Sequence, residues 1–340
     1  MKAKFVRIVL VSLLLLAALN VVGTSMAQDD NTLILARAVD TTGLDPHLQT
    51  TFASLRLLAM IYEPLLIPDQ NLELQPVLAE SWEFSDDGMS LTFHLREGVT
   101  FHDGSAMTAE DVIASFERIL DEETGAAARS NYTSIESMDA PDDLTVIFHL
   151  STPDAPILAA MGATNAAILS SDVIANEDPA LVTVGTGPFK LDNWTPEEST
   201  TLSAFEDWWG DGPFIDGIDM RIIPDEASIL AALRAGTVDF ALLEDPLVAT
   251  LLIGDDEITL QRKPVISYDV LQLRAAVEPL NILEVRQAMS CAIDRQEVVD
   301  TALLGEAVVT GPFTMPSFAL PTDELFCYTK DLDRARELMA

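Results

Sequence analysis

The chain has 340 residues, 49% of them apolar and 22% charged, with two cysteines; its 19 Lys and Arg stand against 55 Asp and Glu, a formal net charge of −36. The length suits two globular domains of roughly 100–200 residues each. So large a carboxylate surplus excludes nucleic acid as a partner, since phosphate binding needs clustered cations, and disfavours an anionic membrane surface; the apolar share excludes an acidic disordered chain, and so few cysteines exclude a disulfide scaffold or a Cys-rich zinc site.

Lys2, Lys4 and Arg7 precede an apolar stretch from Ile8 to Leu19 broken only by Ser12, and the small residues Thr24, Ser25 and Ala27 follow. This order reads as a secretory signal, residues 1–27, cut after Ala27. The apolar run is shorter than the ~20 residues that span a bilayer, which argues against an anchor. No cysteine lies near the cut, so no lipobox is available and the product is expected to be exported, periplasmic or extracellular and associated with the cell envelope. It would carry 16 positive against 55 negative side chains, or −39.

A short strand is expected at Leu33–Ala36, running into the turn-rich Asp40-Thr41-Thr42-Gly43-Leu44-Asp45-Pro46. Leu55, Leu58, Ala59 and Tyr62 fall at i, i+3, i+4 and i+7 and predict a helix from Phe52 to Tyr62, stopped by Pro64 and Pro68. Residues 78–103 alternate like a hairpin, with Ser81–Phe84 and Leu91–Leu95 joined by Ser85-Asp86-Asp87-Gly88, where glycine takes positive φ at no steric cost. Thr108 caps a helix through Ile119 that carries Glu110 and Asp111 at its positive end. Asp139–Asp143 reads as a turn leading into a strand at 144–150, and strands are expected at 189–194 and 199–205. Asp225 to Arg234 reads as a helix closed by Gly236, Val238–Leu242 and Val265–Leu273 as strands, and Glu284–Leu304 as one long helix. Asp331–Ala340 is amphipathic and stops without a glycine cap, which reads as a chain cut inside a longer protein.

Motifs of catalysis are missing: the sequence holds no G-x-S-x-G, H-E-x-x-H, P-loop or G-x-G-x-x-G, and His47, His94, His102 and His149 are scattered. A metal site needs clustered ligands, so neither a metal nor any other cofactor is expected. Asp86-Asp87, Asp142-Asp143 and Asp255-Asp256 sit in turns, where aspartate bonds its own backbone, and the Phe101-His102-Asp103-Gly104 turn accounts for His102 better than a catalytic pair does. Cys291 and Cys327 are either bonded to each other or a buried thiol plus a second thiol.

Several segments together carry a resemblance. They include Leu44-Asp45-Pro46-His47, Ile61-Tyr62-Glu63-Pro64-Leu65, Leu78-Ala79-Glu80-Ser81-Trp82, Phe93–Val99, Phe101–Gly104, Thr108–Val112, Val184–Lys190, Asp207-Trp208-Trp209-Gly210, Arg221–Asp225, Leu233–Asp239 and Val285-Arg286-Gln287-Ala288. In number, order and spacing they resemble the extracellular solute-binding proteins of ABC transporters, in the peptide/nickel-binding class. Most fit scaffold roles: Gly185, Gly187 and Pro188 suit a sharp chain reversal, and Trp82 and Trp208 suit core burial.

The resemblance implies an α/β fold of the periplasmic-binding type, with two lobes, a hinge and an extra domain on lobe I. Residues 29–47 and 183–270 would form lobe I, residues 48–182 the extra domain, and residues 271–340 the start of a lobe II that is incomplete here. It further implies capture of a peptide or similar small polar solute, delivery to the permease and ATPase subunits of an ABC transporter, a monomer, and no catalysis. The ligand-facing residues would be Thr41, Thr42, Gly43, Tyr132, Leu243, Glu244, Tyr268 and Asp269. Leu273-Arg274 stands where the family often has Phe-Asn. A nickel chelate, a glycan or an opine is the alternative ligand, and a secreted hydrolase the alternative from another class.

Overall fold

A computed structural model describes residues 31–262, 271–309 and 326–340. The signal-like segment therefore lies outside the described residues. The chain falls into two units, one ending at Ala241 and one beginning at Leu242.

In the first unit the elements run β1 (Thr32–Arg37), α1 (Phe52–Ile61), β2 (Leu66–Pro68), β3 (Leu74–Pro76), β4 (Ala79–Phe84), β5 (Ser90–Leu95), α2 (Ala109–Leu120), β6 (Ile135–Asp142), β7 (Thr145–Leu150), α3 (Ile157–Met161), α4 (Ser171–Asn176), β8 (Phe189–Thr195), β9 (Ser199–Ala204), β10 (Gly217–Ile222), α5 (Glu226–Arg234) and β11 (Phe240–Ala241). Two main sheets result. A mixed five-stranded sheet has the order β11-β1-β10-β9-β8, and a four-stranded antiparallel sheet the order β4-β5-β7-β6. β1 lies parallel to β10, with Leu35 opposite Met220, and parallel to β11 on its other side. Strands 150 residues and more apart in sequence thus flank β1.

Helix α1 covers the mixed sheet. Its buried face is Ser54, Leu57, Leu58 and Ile61, packed with Leu35, Leu202, Ile218 and Met220. Periodicity had favoured Leu55 and Ala59 for this face, yet Ala59 is exposed. The helix is turned because Ser54, a polar residue, is drawn inward by hydrogen bonds to the loop after β1. Helix α2 and the four-stranded sheet enclose the larger core, in which Phe93, Phe148, Phe116 and Tyr132 follow one another in edge-to-face contacts 5.1 to 5.7 Å apart. Such contacts suit the ring quadrupole and add to the area buried.

The Asp139–Asp143 segment, expected as a turn, instead belongs mostly to β6. Pro141 sits there without penalty because β6 is an edge strand and the missing N–H faces no neighbour. Asp142 still makes the expected local bond, its Oδ1 accepting from Leu144 N at 3.0 Å, and Asp87 does the same with Met89 N at 3.1 Å. Strand β11 is shorter than expected, two residues only. Gly236, at φ +65°, ends α5 as the pattern required.

The second unit holds α6 (Pro246–Thr250), α7 (Leu283–Ala292), α8 (Arg295–Ala302) and α9 (Leu332–Leu338). The single long helix expected from Glu284 to Leu304 is two helices. Asp294 divides them, because its side chain accepts from Glu297 N and so starts α8 as an N-cap. Most of the expected Val265–Leu273 strand lies outside the described residues, and Leu271 is exposed. A disulfide joins Cys291 to Cys327.

Candidate ligand-binding site

Strand β1 delivers the chain to a loop whose conformation is fixed by one carboxylate and one hydroxyl. Asp40 Oδ1 accepts from Thr41 N at 2.7 Å and from Arg37 Nη2 at 3.1 Å, and Oδ2 accepts from Glu197 N at 2.8 Å and Trp194 Nε1 at 3.1 Å. Burial acts to raise the acid's pKa, but these donors and the Arg37 charge outweigh it and hold the carboxyl below its ordinary range. Arg37 Nη1 donates to Ala53 O at 2.7 Å, fastening the loop to the start of α1.

The hydroxyl is that of Ser54. Its Oγ accepts from Thr42 N at 2.9 Å, and Thr41 Oγ1 lies 2.9 Å from both Ser54 Oγ and Gly43 O. Thr42 Oγ1 donates to Gln49 Oε1 at 2.7 Å, and Thr42 itself is exposed. At Gly43 an added Cβ would meet the Gln49 amide at 2.5 Å, so the side chain of Gln49 closes over a position that only glycine fills without displacing it. Thr41 is thus a buried structural residue, while Thr42 is exposed and Gly43 half-buried, with Thr42 N, the Thr42 hydroxyl proton and Gly43 O already engaged within the loop.

A second knot supports the first. Asp45, almost fully buried, is gripped by Arg118 through both guanidinium Nη atoms. Arg118 Nη1 also donates to His47 Nδ1 at 2.8 Å, which leaves Nε2 to carry the proton it donates to Ala167 O at 2.9 Å. Burial pushes His47 down to about 4, against the pull of the Ala167 carbonyl and with the Arg118 charge adding to the depression. This imidazole is therefore neutral in the folded protein near pH 7.

The motifs that carried the resemblance converge on a third point. His102 Nε2 donates to Gly187 O at 2.9 Å while Nδ1 accepts from Gly185 N at 3.3 Å, so the ring ties the Gly-Thr-Gly turn to the Phe-His-Asp-Gly turn. Gly185 and Gly187 serve close approach rather than positive φ: a Cβ at Gly185 would fall 2.0 Å from Ile61 O, and one at Gly187 within 2.7 Å of Met60 O. The chain bends sharply at 186–188, and the glycines let that bend lie against the end of α1. Glu63 accepts from Trp209 Nε1 at 2.9 Å and Trp208 Nε1 at 3.3 Å, and Arg96 lies 4.2 Å over the Trp209 ring. Burial raises the Glu63 carboxyl above its ordinary value, with the indole donors and Arg96 partly opposing the shift.

Of the described residues of the first unit singled out from sequence, Thr41, Thr42 and Gly43 come together. Tyr132 is completely buried in the core beneath the four-stranded sheet, with its hydroxyl donating to Ala160 O at 2.7 Å, and is a packing residue rather than a surface aromatic or a wall open to ligand. Leu243 and Glu244 open the second unit, half-buried and exposed respectively. Tyr268 and Asp269 lie outside the described residues. Sequence reasoning missed Asp40, Ser54, Trp194 and Glu197 as the frame of the loop. Asp40 was visible as a turn aspartate, but its partners are 154 and 157 positions away.

The chain matches the profile of bacterial extracellular solute-binding proteins, family 5 middle region, over residues 73–340. It is 30% identical over 291 residues to the dipeptide-binding protein of Escherichia coli strain K12, covering 78% of this chain and 54% of that one. Among solved structures it superposes on DppA from Helicobacter pylori in complex with the peptide STSA, with a TM-score of 0.78, 29% identity and coverage of 91% and 65%. NikZ from Campylobacter jejuni in complex with Ni(L-His) gives a TM-score of 0.81 at 25% identity, with coverage of 91% and 62%. The chain spans about half the length of the curated relatives it matches. These matched proteins are binding proteins. With its sequence motifs gathered at the Glu63, His102 and Gly185 contacts, and its α/β architecture shared with those structures, the chain belongs to the bacterial extracellular solute-binding proteins of family 5.

Proposed function

We propose that this chain belongs to an exported protein that captures a peptide or a similar small polar solute and passes it to the permease of an ABC transporter, without catalysis. The observation that carries the reading is the family match, with the exposed Thr42, on a loop after β1 held rigid by its own hydrogen bonds, as the proposed contact. An extended peptide is recognised mainly through its main chain, and a frame locked by Asp40 and Ser54 spares the ordering entropy that a mobile loop would lose on binding. Glu244 and Asp269 are the carboxylates proposed to meet a cationic ligand end, with Leu243 and Tyr268 beside them. We take residues 29–47 and 183–270 as lobe I, 48–182 as the extra domain and 271–340 as part of lobe II, with 1–27 as the export signal. The protein would act as a monomer toward its permease.

A second reading is favoured by one observation, the superposition on a structure that holds Ni(L-His). The two are separated by calorimetry and mass spectrometry on the protein with a di- to pentapeptide mixture and, separately, with nickel and L-histidine. Saturable binding of unaltered peptide, weakened several-fold by Thr42→Ala, is the expected result. Cleaved peptide would sink the non-catalytic reading, and heat released only with nickel and histidine would replace peptide with a chelate.

A further inference from the structure

Among the described residues, helix α9 of the second unit packs on little apolar surface. The cluster joining α7 to α9 contains, among the described residues, three buried ones, Ala288, Cys291 and Ala335, with Leu338 and Cys327 partly buried beside them. Two of the three are alanines, which contribute little area. Other contacts gather at the disulfide: Asp331 N donates to Cys291 O at 2.7 Å, and Arg295 Nη1 donates to Cys327 O at 3.1 Å and Tyr328 O at 3.0 Å while its guanidinium stacks 5.8 Å from the Tyr328 ring. Arg295 Nη2 is held by Ser290 Oγ at 2.9 Å. Cys327 itself adopts φ +47°, a left-handed conformation unfavourable for a residue with a Cβ.

We propose that the Cys291–Cys327 disulfide is a redox latch that decides whether α9 docks on α7. Cysteines 36 positions apart close a long loop, so the bond removes much of the freedom the segment would gain on leaving. Cys291 is completely buried and Cys327 only partly buried, so Cys327 Sγ is the sulfur a thiolate would reach first. With a dithiol reductant, the attacking thiolate bonds Cys327 Sγ, and Cys291 Sγ leaves as a thiolate and takes a proton. The reductant's second thiol then displaces Cys327. The reductant ends as a disulfide and the protein gains two electrons and two protons as two thiols. Once free, Cys327 can leave its left-handed conformation, and the Arg295 contacts lose the anchor that fixed their carbonyls. In a reducing compartment α9 is therefore detached, and it docks after the chain meets an oxidant. The latch does not depend on what the protein binds.

Hydrogen exchange read by mass spectrometry on the whole chain, oxidised and then reduced with both thiols verified by alkylation, tests it. Amides of Leu332–Leu338 are expected to exchange roughly tenfold faster or more after reduction, while those of α7 and of the first unit keep their protection; Cys327→Ser should match the reduced protein without reductant. Unchanged exchange in α9 overturns the latch. Equal loss across α7, α8 and α9 also overturns it, since the bond would then hold the unit's fold rather than one helix.

Discussion

Replacing Arg118 with methionine removes the cation that faces Asp45 and leaves the methylene stem's volume in place. Asp45 has almost no solvent exposure, and both Nη atoms of Arg118 engage it. Breaking such a pair from one side leaves a buried charge uncompensated, which costs roughly 3–5 kcal/mol, far more than the ~1 kcal/mol or less of an exposed pair. His47 adds a signature in pH. Its folded value, about 4, is below the unfolded value near 6.5, so between these limits the unfolded chain binds the proton first. The stability contributed by neutral His47 is complete above pH 6.5 and is lost as pH falls toward 4, on the order of 3 kcal/mol in total. Because the Arg118 charge adds to the depression, Arg118→Met should flatten this acid limb while lowering stability at pH 7. Urea unfolding followed by tryptophan fluorescence measures both, since Trp82, Trp194, Trp208 and Trp209 all lie in the first unit. Adding Asp45→Asn should recover much of the loss. A decrease below about 1 kcal/mol at pH 7 would refute the claim that this ion pair is desolvated.

Three further outcomes can be checked on the same protein. Gly185→Ala places a Cβ 2.0 Å from the Ile61 carbonyl oxygen, a main-chain atom that cannot rotate away, so a loss of about 3 kcal/mol is expected in urea melts, and a near-neutral result would show the turn can move aside. Trp209→Phe deletes a donor to the buried Glu63, lowering stability by roughly 1.5–3 kcal/mol. Because burial raises the folded Glu63 pKa, the native state holds this proton longer than the unfolded chain, and its contribution declines as pH climbs from the ordinary 4.5 through the raised value. Losing the indole donor should extend that decline upward, which circular-dichroism melts across pH would reveal. Finally, a net charge of −36 implies self-repulsion in the compact state. Raising NaCl from 0.05 to about 1 M should lift Tm by several degrees through screening, and a constant or falling Tm would contradict that account.

How much was legible beforehand depended on the range of the interaction responsible. Helices α1, α2 and α5, the hairpin of β4 and β5, and the Asx turns at Asp87 and Asp142 follow from neighbours in sequence, so periodicity, caps and turn chemistry sufficed. Strand β10 escaped notice because its place is set by pairing with β1 almost 190 residues earlier. Strand β6 escaped because Pro141 reads as a breaker until the strand is known to be an edge. The break at Asp294 was written locally, as an N-cap, but the apolar repeat on both sides outweighed it. Thr41, Thr42 and Gly43 were expected through resemblance to face a ligand, whereas the burial of Thr41 and the exposure of Thr42 were not legible.

Composition and local pattern by themselves determined the acidity and most element types, because those properties reside in residue identities and short spacings; the fold class and family came through the resemblance of the motifs to a known family. Tertiary structure alone decided that Thr41 is turned inward while Thr42 faces out, that Tyr132 packs in a core, and that Gly185 admits no side chain. Each is fixed by atoms distant in sequence: Ser54 and Trp194 for the loop, Ala160 for the tyrosine, and the Ile61 carbonyl for the glycine. A side chain's type limits what it can do, but which partner satisfies it is settled only when the chain closes on itself.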